Sequence, residues 1–377
     1  MHLDYETLRV IWWLLLGILL IGFVIMDGFD LGVAIWLPFM AKTQMEKRIL
    51  INSIGPTWEG NQVWFILGGG AIFAAWPMLY ALSFSGFYFA MLLTLLALIL
   101  RPVGFKYRAK VNNPTWRRMW DACLFLGGFV PALIFGVAVG NVLQGVPFYF
   151  DDSLRPFYTG TFRGLLNPFG LWCGLLSVFM LGMHGAFFIN VKTEGHLQKR
   201  ARYAARSFAL LTIAFFATAG FSLYLKTGYA LADGVSHIGP SNPLYKAVTR
   251  ETHAWFDNYH AYPVLLLAPV LGLLMPLLAS IWQKAYPKVA FTLSSLSLFG
   301  IVSTVGVAMF PFILPSSTHP DQSLTVWDSS SSELTLLIML VATLIFFPII
   351  LSYTAWAYRV LGGKVTEKHI RESKDAY

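Results

Sequence analysis

The chain has 377 residues, of which 56% are hydrophobic, 16% aromatic and only 12% charged, and its formal net charge at pH 7 is +8. Soluble domains carry about 25% charged residues. The low charge and a mean hydropathy of +0.62 exclude a soluble globular protein and a disordered chain. Two cysteines, Cys123 and Cys173, are too few for a disulfide scaffold. The composition indicates a polytopic membrane protein, so the basic residues are interpreted as topology markers rather than as a nucleic-acid surface.

Nine apolar segments approach or exceed the roughly 20 mostly apolar residues that a membrane-spanning helix needs. No separate soluble domain is evident between them, which favours a single integral membrane domain over residues 1–377. We therefore predict an all-α polytopic membrane protein. The predicted spans are at about 10–37, 50–76, 80–100, 119–143, 165–190, 207–226, 260–283, 289–313 and 333–357.

The Lys and Arg residues divide unequally between the two sides that nine spans define. On one side, after the odd-numbered spans, lie 21 of the 27 basic residues, including Arg101 directly after the third span. Cytoplasmic loops carry the excess of Lys and Arg in membrane proteins. The asymmetry therefore predicts a periplasmic N-terminus and a cytoplasmic C-terminus. The six basic residues predicted to be outside are Arg9, Arg155, Arg163, Lys226, Lys246 and Arg250.

Three carboxyl groups lie well inside the predicted spans, away from their ends: Asp27 and Asp30 in the first and Glu59 in the second. Ionisable residues are expensive within a bilayer and mark functional sites by default. Asp27 and Asp30 are three residues apart and so share a helix face. At ~1.5 Å of rise per residue, Asp30 and Glu59 lie on the order of 10–15 Å from the cytoplasmic boundary. We expect the three acids to form one buried cluster, open toward the cytoplasm, that takes up and releases protons.

The residues around Glu59 suit such a role. The run GPTWEGNQVW contains Trp58, Asn61 and Gln62, and the two amides supply hydrogen-bonding groups beside the carboxyl group. Two other interpretations of the acids remain open. They pair with Lys or Arg from a partner, or their side chains extend to the inner interface.

The histidines argue against a haem or metal site in this chain. Of the eight histidines, only His184 and His260 touch a predicted span, and these two lie at opposite membrane faces. No HxxxH or ExxH pair occurs within a span, and hydrolase and nucleotide-binding motifs are absent from the sequence. We expect this chain to ligate no haem or metal ion and to bind no nucleic acid.

Several sequence runs, taken in order, resemble one family. IWWLLLG, DGFDLG, NSIGPTWEGNQVW and RPVGFKYR in the first third, and GNVLQGVPF, AMFPFILPSS and SLTVWDSSSSELTL later, are similar to subunit II of the cytochrome bd quinol oxidases. The resemblance extends from about Asp4 to the C-terminal tail. Because many runs match in the same order, the resemblance is specific.

This resemblance implies a haem-free subunit of a bd-type oxidase in the bacterial inner membrane. Such an oxidase oxidises quinol, ubiquinol in many relatives, on the outer side and reduces dioxygen to water with protons from the cytoplasm. Subunit I of the family carries haem b and haem d. Subunit II has two four-helix bundles and a peripheral ninth helix, and in some relatives it holds a quinone as a structural ligand. Small single-span accessory subunits and membrane lipids are further expected partners.

The resemblance also implies a role for Glu59. The acid of the W-[DE]-G-N-Q run is proposed to line a proton route at the subunit interface, and Asp27 and Asp30 are further candidates for that route. A related subunit has Asp at this position, preceded by His-Trp where this chain has Thr57-Trp58. Glu59 keeps the carboxyl group, with one more methylene, and is expected to carry protons.

A proton-coupled secondary transporter is the alternative, because carboxyl groups beside Gly and Pro within spans also suit that class. The absorption spectrum of the purified, reduced protein separates the two functions. Haem bands from a co-purifying subunit favour the oxidase, whereas a colourless protein that moves a solute by itself favours the transporter.

The basic residues generate a testable topology. A reporter active only in the cytoplasm should work when fused after Arg118, Arg206 or Lys364, and it should fail when fused near Asp152 or Ser241. Reporter activity in membranes with equal fusion expression is the measurement. A single reversed site would move one span boundary, whereas reversal at every site would overturn the orientation.

Overall fold

The computed structural model describes residues 3–232 and 235–372 and is dominated by helices. The helices are α1 (Tyr5–Met40), α2 (Gln44–Ile54), α3 (Trp58–Ala75), α4 (Pro77–Gly86), α5 (Tyr88–Tyr107), α6 (Pro114–Gln144), α7 (Phe162–Leu165), α8 (Pro168–Lys192), α9 (Gly195–Tyr224), α10 (Asp257–Ala261), α11 (Leu267–Trp282), α12 (Pro287–Met309), α13 (Glu333–Val360) and α14 (Glu367–Glu372). Short 3₁₀ turns occur at Ala254–Phe256, Pro263–Leu266 and Pro320–Gln322.

Six short strands form three antiparallel two-stranded hairpins. The strands are β1 (Phe148–Phe150), β2 (Pro156–Tyr158), β3 (Thr227–Leu231), β4 (Val248–Thr252), β5 (Phe312–Leu314) and β6 (Leu324–Thr325). They lie in the three longest connections that were predicted to be outside. The backbone N–H and C=O groups there are not in helices, so they need other hydrogen-bonding partners, which strand pairing supplies.

Local sequence signals set where several helices begin. Asn113 and Asn167 are N-caps whose side chains accept hydrogen bonds from backbone N–H groups of the first turn, and each is followed by proline, which fits the first helical position. Thr43 and Glu46 form a reciprocal capping box at the start of α2. These caps fix the residues at which α2, α6 and α8 begin.

Eight helices in the described ranges are long and apolar enough to cross a membrane. They correspond to eight of the nine predicted spans, while the predicted second span, 50–76, differs. The chain turns at residues 55–57, so that region is divided into α2 and α3. Pro56 lies in this turn, and α3 is not among the eight because its first residues, WEGNQ, are polar. The predicted count of nine spans therefore stays a prediction.

The helices pack as two groups, which confirms the predicted all-α membrane fold. In the first group, α1 packs against α3 and α6, and α5 packs against α6. In the second group, α8 and α11 each pack against both α9 and α12. Helix α8 also packs against α1 and α6 and thereby joins the groups. Helix α13 lies at the periphery against α1 and α3, with only Leu336 and Leu340 of its residues buried.

One end of the molecule is closed by hydrogen bonds between the start of α1 and two distant loops. The Arg9 guanidinium donates to Ser330 Oγ at 2.8 Å and to the carbonyl oxygens of His237 at 2.5 Å and Gly239 at 3.0 Å. Arg9 was predicted to be a basic marker of the outer side, but the structure buries it completely. Because its donors are satisfied inside the protein, Arg9 anchors the loops and is not part of the exposed charge on that side.

The other end is closed by the C-terminal segment. The Val365 N–H donates to the Lys192 carbonyl at 2.8 Å, and the Lys192 ammonium donates to the Leu361 carbonyl at 2.9 Å. Ile370 of α14 is 2% exposed and packs in the apolar cluster that α2 forms with α1 and α5. The residues after α13 therefore cover the end of the first helix group.

The closest approach between the two groups is at a pair of glycines. A Cβ atom added to Gly32 of α1 would lie 2.1 Å from the Leu181 carbonyl oxygen of α8, and one added to Gly185 would lie 2.4 Å from the Gly32 carbonyl carbon. Neighbouring backbone cannot move away as a flexible side chain does. Small residues at such crossings let helix backbones touch in membranes.

Gly32→Ala should therefore push α1 and α8 apart and lower the stability of the protein, with overpacking costing about 1–3 kcal/mol or more. The measurement is the apparent Tm of the purified protein in detergent. Gly220→Ala is the matched control, since a Cβ atom there meets nothing within 4 Å. Equal Tm values for the two variants would show that the crossing is not tight.

Candidate functional site

The first buried charge pair joins α1 to α5. Two guanidinium nitrogens of Arg101 each lie 3.1 Å from Asp27 Oδ1, and Nη1 is 3.3 Å from Oδ2. Asp27 is 1% exposed and Arg101 is fully buried. The sequence placed Arg101 in a cytoplasmic loop, which is wrong, because α5 continues through Pro102 to Tyr107 and carries Arg101 inside the bundle. The partner of Asp27 is thus a basic residue of the same chain.

A second polar group surrounds Asp30, one turn further along α1. The Asn61 side-chain N–H donates to Asp30 Oδ2 at 2.7 Å, and the Tyr358 hydroxyl donates to Asn61 Oδ1 at 2.6 Å. Asp30 is fully buried, and its Oδ1 has no hydrogen-bond partner among the described residues. Three helices, α1, α3 and α13, therefore meet at one amide and one carboxyl group, with one carboxyl oxygen left for a proton or a water molecule.

Aromatic rings close this region on the side of α5. Trp58 is buried and stacks on Phe105 with ring centroids 5.3 Å apart, and the Arg101 guanidinium carbon lies 5.8 Å from the Trp58 ring. Gln62 is half-buried on α3. The rings restrict the access of water to the Asp27–Arg101 pair, which strengthens the attraction between the two charges.

Glu59 lies apart from these buried residues. It is in the first turn of α3, and its side chain is exposed. Residues at steps of seven along α3, Ile66 and Phe73, are also exposed, at 68% and 60%. The expected single cluster of three buried acids is therefore incorrect. The structure brings Asp27 and Asp30 of α1 together with Trp58 and Asn61 of α3. Glu59 instead lies at one end of an exposed stripe of α3 that continues through Ile66 and Phe73.

A further buried acid, Asp121, was not identified among the acids inside the spans. It is near the start of α6, 4% exposed, and its two oxygens accept from Lys47 Nζ at 2.7 Å and Arg108 Nε at 2.5 Å. It is the third residue of the predicted fourth span, 119–143, where hydropathy alone does not show how deeply a side chain is buried. Tyr358 was also missed, since an aromatic residue at the end of a span is typical of the membrane interface.

His184 has both ring nitrogens engaged within the protein. Nδ1 lies 2.7 Å from Ser294 Oγ, and Nε2 lies 3.0 Å from the Ile25 carbonyl oxygen. Its ring stacks on Phe291 with centroids 4.6 Å apart. A histidine that ligates iron needs one ring nitrogen for the metal. The geometry of His184 is that of a packing residue between α1, α8 and α12.

The groups brought together here can hold a proton and pass it along hydrogen bonds. Buried carboxyl groups, an amide and a phenol form short hydrogen bonds, and one carboxyl group is exposed two residues from that network. Within residues 3–232 and 235–372, three or more His, Cys, Asp or Glu side chains nowhere gather as a group that could hold a metal ion.

Comparison with known proteins gives a consistent result over nearly the whole chain. The family model of cytochrome bd terminal oxidase subunit II matches residues 8–361. The chain is 51% identical over 373 residues to a probable cytochrome oxidase subunit 2 of Haemophilus influenzae, covering 99% of both chains. It is 50% identical to cytochrome bd-I ubiquinol oxidase subunit 2 of Escherichia coli strain K12, covering 98% of both.

A solved structure supports the fold independently. A chain of the bd oxidase from Geobacillus thermodenitrificans superposes with a TM-score of 0.67 at 17% identity, covering 94% of this chain and 98% of that chain. The likeness shows a shared fold at low sequence identity. The family match and the relatives at about half identity show that this chain belongs to the cytochrome bd terminal oxidase subunit II family.

Proposed function

We propose that this chain acts as the haem-free subunit of a quinol oxidase and supplies its partner with a structural support and a carboxyl group for proton uptake. The family places the chain in a terminal oxidase of the respiratory chain, in a complex with a partner subunit. It gives no support to the alternative of a self-sufficient transporter. We propose ubiquinol as the substrate of the complex because the Escherichia coli relative is a ubiquinol oxidase subunit.

Haem b and haem d are assigned in this proposal to the partner, subunit I. The engaged nitrogens of His184 support the assignment, because among the histidines that the structure describes His184 is the one buried between the helices. No step of the proposed role of this chain passes through a haem. A structural quinone and small single-span accessory subunits are further proposals that rest on the resemblance alone.

The exposed stripe of α3 is proposed to face subunit I. Glu59, Ile66 and Phe73 lie at steps of seven residues on one side of that helix. An ionisable group that faces lipid costs about 2.5–3.5 kcal/mol near the membrane centre. A protein partner that covers the stripe removes this cost by offering polar groups or water to the carboxyl group. The exposure of Glu59 on this otherwise apolar face is the observation that carries the proposal.

Proton uptake then divides between two kinds of acid. Glu59 is at the surface of this chain, next to the turn at 55–57, and exchanges protons between the cytoplasmic side and the subunit interface. Asp30 lies behind Asn61, with one oxygen free of hydrogen bonds, and is a second candidate. Asp27 is held by Arg101, so we assign it a structural role rather than one in proton transfer.

Location and orientation follow from the same proposal. The inner membrane is the expected location, with the N-terminus periplasmic and the C-terminus cytoplasmic. In that orientation the Arg9 network and the three hairpins are periplasmic, and α2, α14 and the Asp121 ion pairs are cytoplasmic. Glu59 is then on the cytoplasmic side of α3, which is the side from which oxygen reduction draws its protons.

Glu59→Gln should slow quinol-driven oxygen consumption several-fold, since an amide of similar shape does not bind and release a proton. Glu59→Asp should retain much of the activity, because the carboxyl group remains and a water molecule spans the lost methylene. Turnover is measured across pH and normalised to the haem content of the purified complex.

Glu194→Gln is the matched control, since Glu194 is an exposed carboxylate at the predicted cytoplasmic start of α9. Its turnover should equal that of the unaltered complex. Full turnover of Glu59→Gln at every pH would remove Glu59 from the proton route and leave it as an interface residue.

Arg101→Gln should destabilise the complex by about 3–5 kcal/mol, because it leaves the Asp27 carboxylate buried without its cation. The double variant Asp27→Asn/Arg101→Gln should recover a large part of the loss, since it removes both charges. The apparent Tm and the yield of the complex are the measurements. If Arg101→Gln is as stable as the unaltered complex, the pair does not hold α1 to α5.

A further inference from the structure

A groove with a basic end opens where α1 ends and α6 begins. It has a volume of about 320 Å³, and its lining includes Phe39, Lys47, Arg118, Asp121 and Phe125. At about 30 Å³ per water molecule, this volume equals that of on the order of ten waters. That is enough for a phosphate group with a glycerol backbone. The groove is separate from the Asp27 and Asp30 site and has no part in the proton route proposed for Glu59.

The polar end of the groove carries an excess of positive charge, and ion pairs to a buried carboxylate hold these basic residues in place. Asp121 is buried and shared by Lys47 and Arg108, so one negative charge meets two positive charges. Arg108 is held further by Gln44 Oε1 at 2.8 Å. The Lys47 ammonium has three N–H donors, and its bond to Asp121 Oδ2 leaves two for a ligand. Arg118, whose side chain is exposed, adds another positive charge at the rim.

The wall that leads from this basic end is aromatic. Phe39 is 66% exposed and contacts Phe125 edge to face, with ring centroids 5.7 Å apart. Phe125 in turn stacks on Phe129, one turn further along α6, at 5.4 Å. Since α6 is a candidate membrane span, the wall runs from the membrane boundary toward the bilayer centre. A ligand that fits both parts has an anionic head and a hydrocarbon chain.

We propose that this groove binds an anionic phospholipid of the cytoplasmic leaflet, with its phosphate at Lys47 and Arg118 and an acyl chain along Phe39 and Phe125. Basic pockets between membrane helices on the cytoplasmic side bind anionic headgroups by this combination of charge and shape. The Asp121 carboxylate orients Lys47, and its negative charge limits the net attraction between the basic end of the groove and the lipid phosphate. Phospholipids without net charge bind more weakly, because their choline or ethanolamine cation is repelled by the same basic residues.

Native mass spectrometry of the purified complex in detergent tests the proposal. The complex is titrated with dioleoyl phosphatidylglycerol and, separately, with dioleoyl phosphatidylcholine. The unaltered complex should retain phosphatidylglycerol preferentially. Arg118→Gln should weaken that binding about fivefold, from the roughly 1 kcal/mol that each basic residue contributes near an anionic lipid. Ala122→Phe should also weaken it, by filling the groove without changing charge.

Arg117→Gln is the matched control. Arg117 is next in sequence to Arg118, but its guanidinium donates to Asn112 Oδ1 at 3.0 Å and it is not part of the groove lining. This variant should bind phosphatidylglycerol as the unaltered complex does. An equal loss of phosphatidylglycerol binding in the Arg117 and Arg118 variants would indicate that general surface charge attracts the lipid, and it would overturn the proposed site.

Three further results would overturn the proposal. Equal retention of the two lipids by the unaltered complex would show that the basic end does not select an anion. Displacement of phosphatidylglycerol by millimolar glycerol phosphate would show a site for soluble phosphate, without a contribution from the aromatic wall. Unchanged binding in both Arg118→Gln and Ala122→Phe would place the lipid elsewhere on the complex.

Discussion

The buried ion pair between Asp27 and Arg101 is the constraint on which the first helix group depends. Two opposite charges that are almost completely removed from solvent are each very costly alone, so α1 and α5 must keep the register that joins them. A hydrophobic contact tolerates sliding by a fraction of a turn, whereas this bonding geometry does not. The pair therefore sets the position of the turn of α1 that carries Asp30 and the Gly32 crossing.

That position of α1 links the two helix groups to the polar network. Gly32 lies against α8 only if α1 is at the correct height, and Asp30 meets Asn61 of α3 under the same condition. Tyr358 then brings the peripheral helix α13 to the same amide. One position of α1 thus satisfies a charge pair, a backbone contact and a chain of hydrogen bonds. Because these three interactions all require the same helix register, they favour a single folded structure over other helix packings.

The sequence predicted the all-α membrane fold and the buried aspartates, because hydropathy and the cost of burying a charge are visible in composition alone. It could not predict Arg101 as the partner of Asp27, since the apolar run stops at Leu100 and a helix that continues through Arg-Pro has no hydropathy signal. The exposure of Glu59 depends on the turn at 55–57 and on the rotation of α3, which only packing determines. Asp121 was missed for a related reason, as depth at the end of a span is not encoded in hydropathy.

The separation of Glu59 from the two aspartates bears directly on how this chain contributes to oxygen reduction. The Asp27 carboxylate is paired with the permanently charged guanidinium of Arg101, and this pairing supports the structural role that we propose for Asp27. The exposed carboxyl group of Glu59, in the first turn of α3, has no such ion pair among the residues that the structure describes. In our proposal, its surroundings are completed by the partner subunit that covers the exposed stripe. In the role proposed above, a haem-free subunit influences proton delivery to a haem in its partner through the carboxyl group that it presents at their interface.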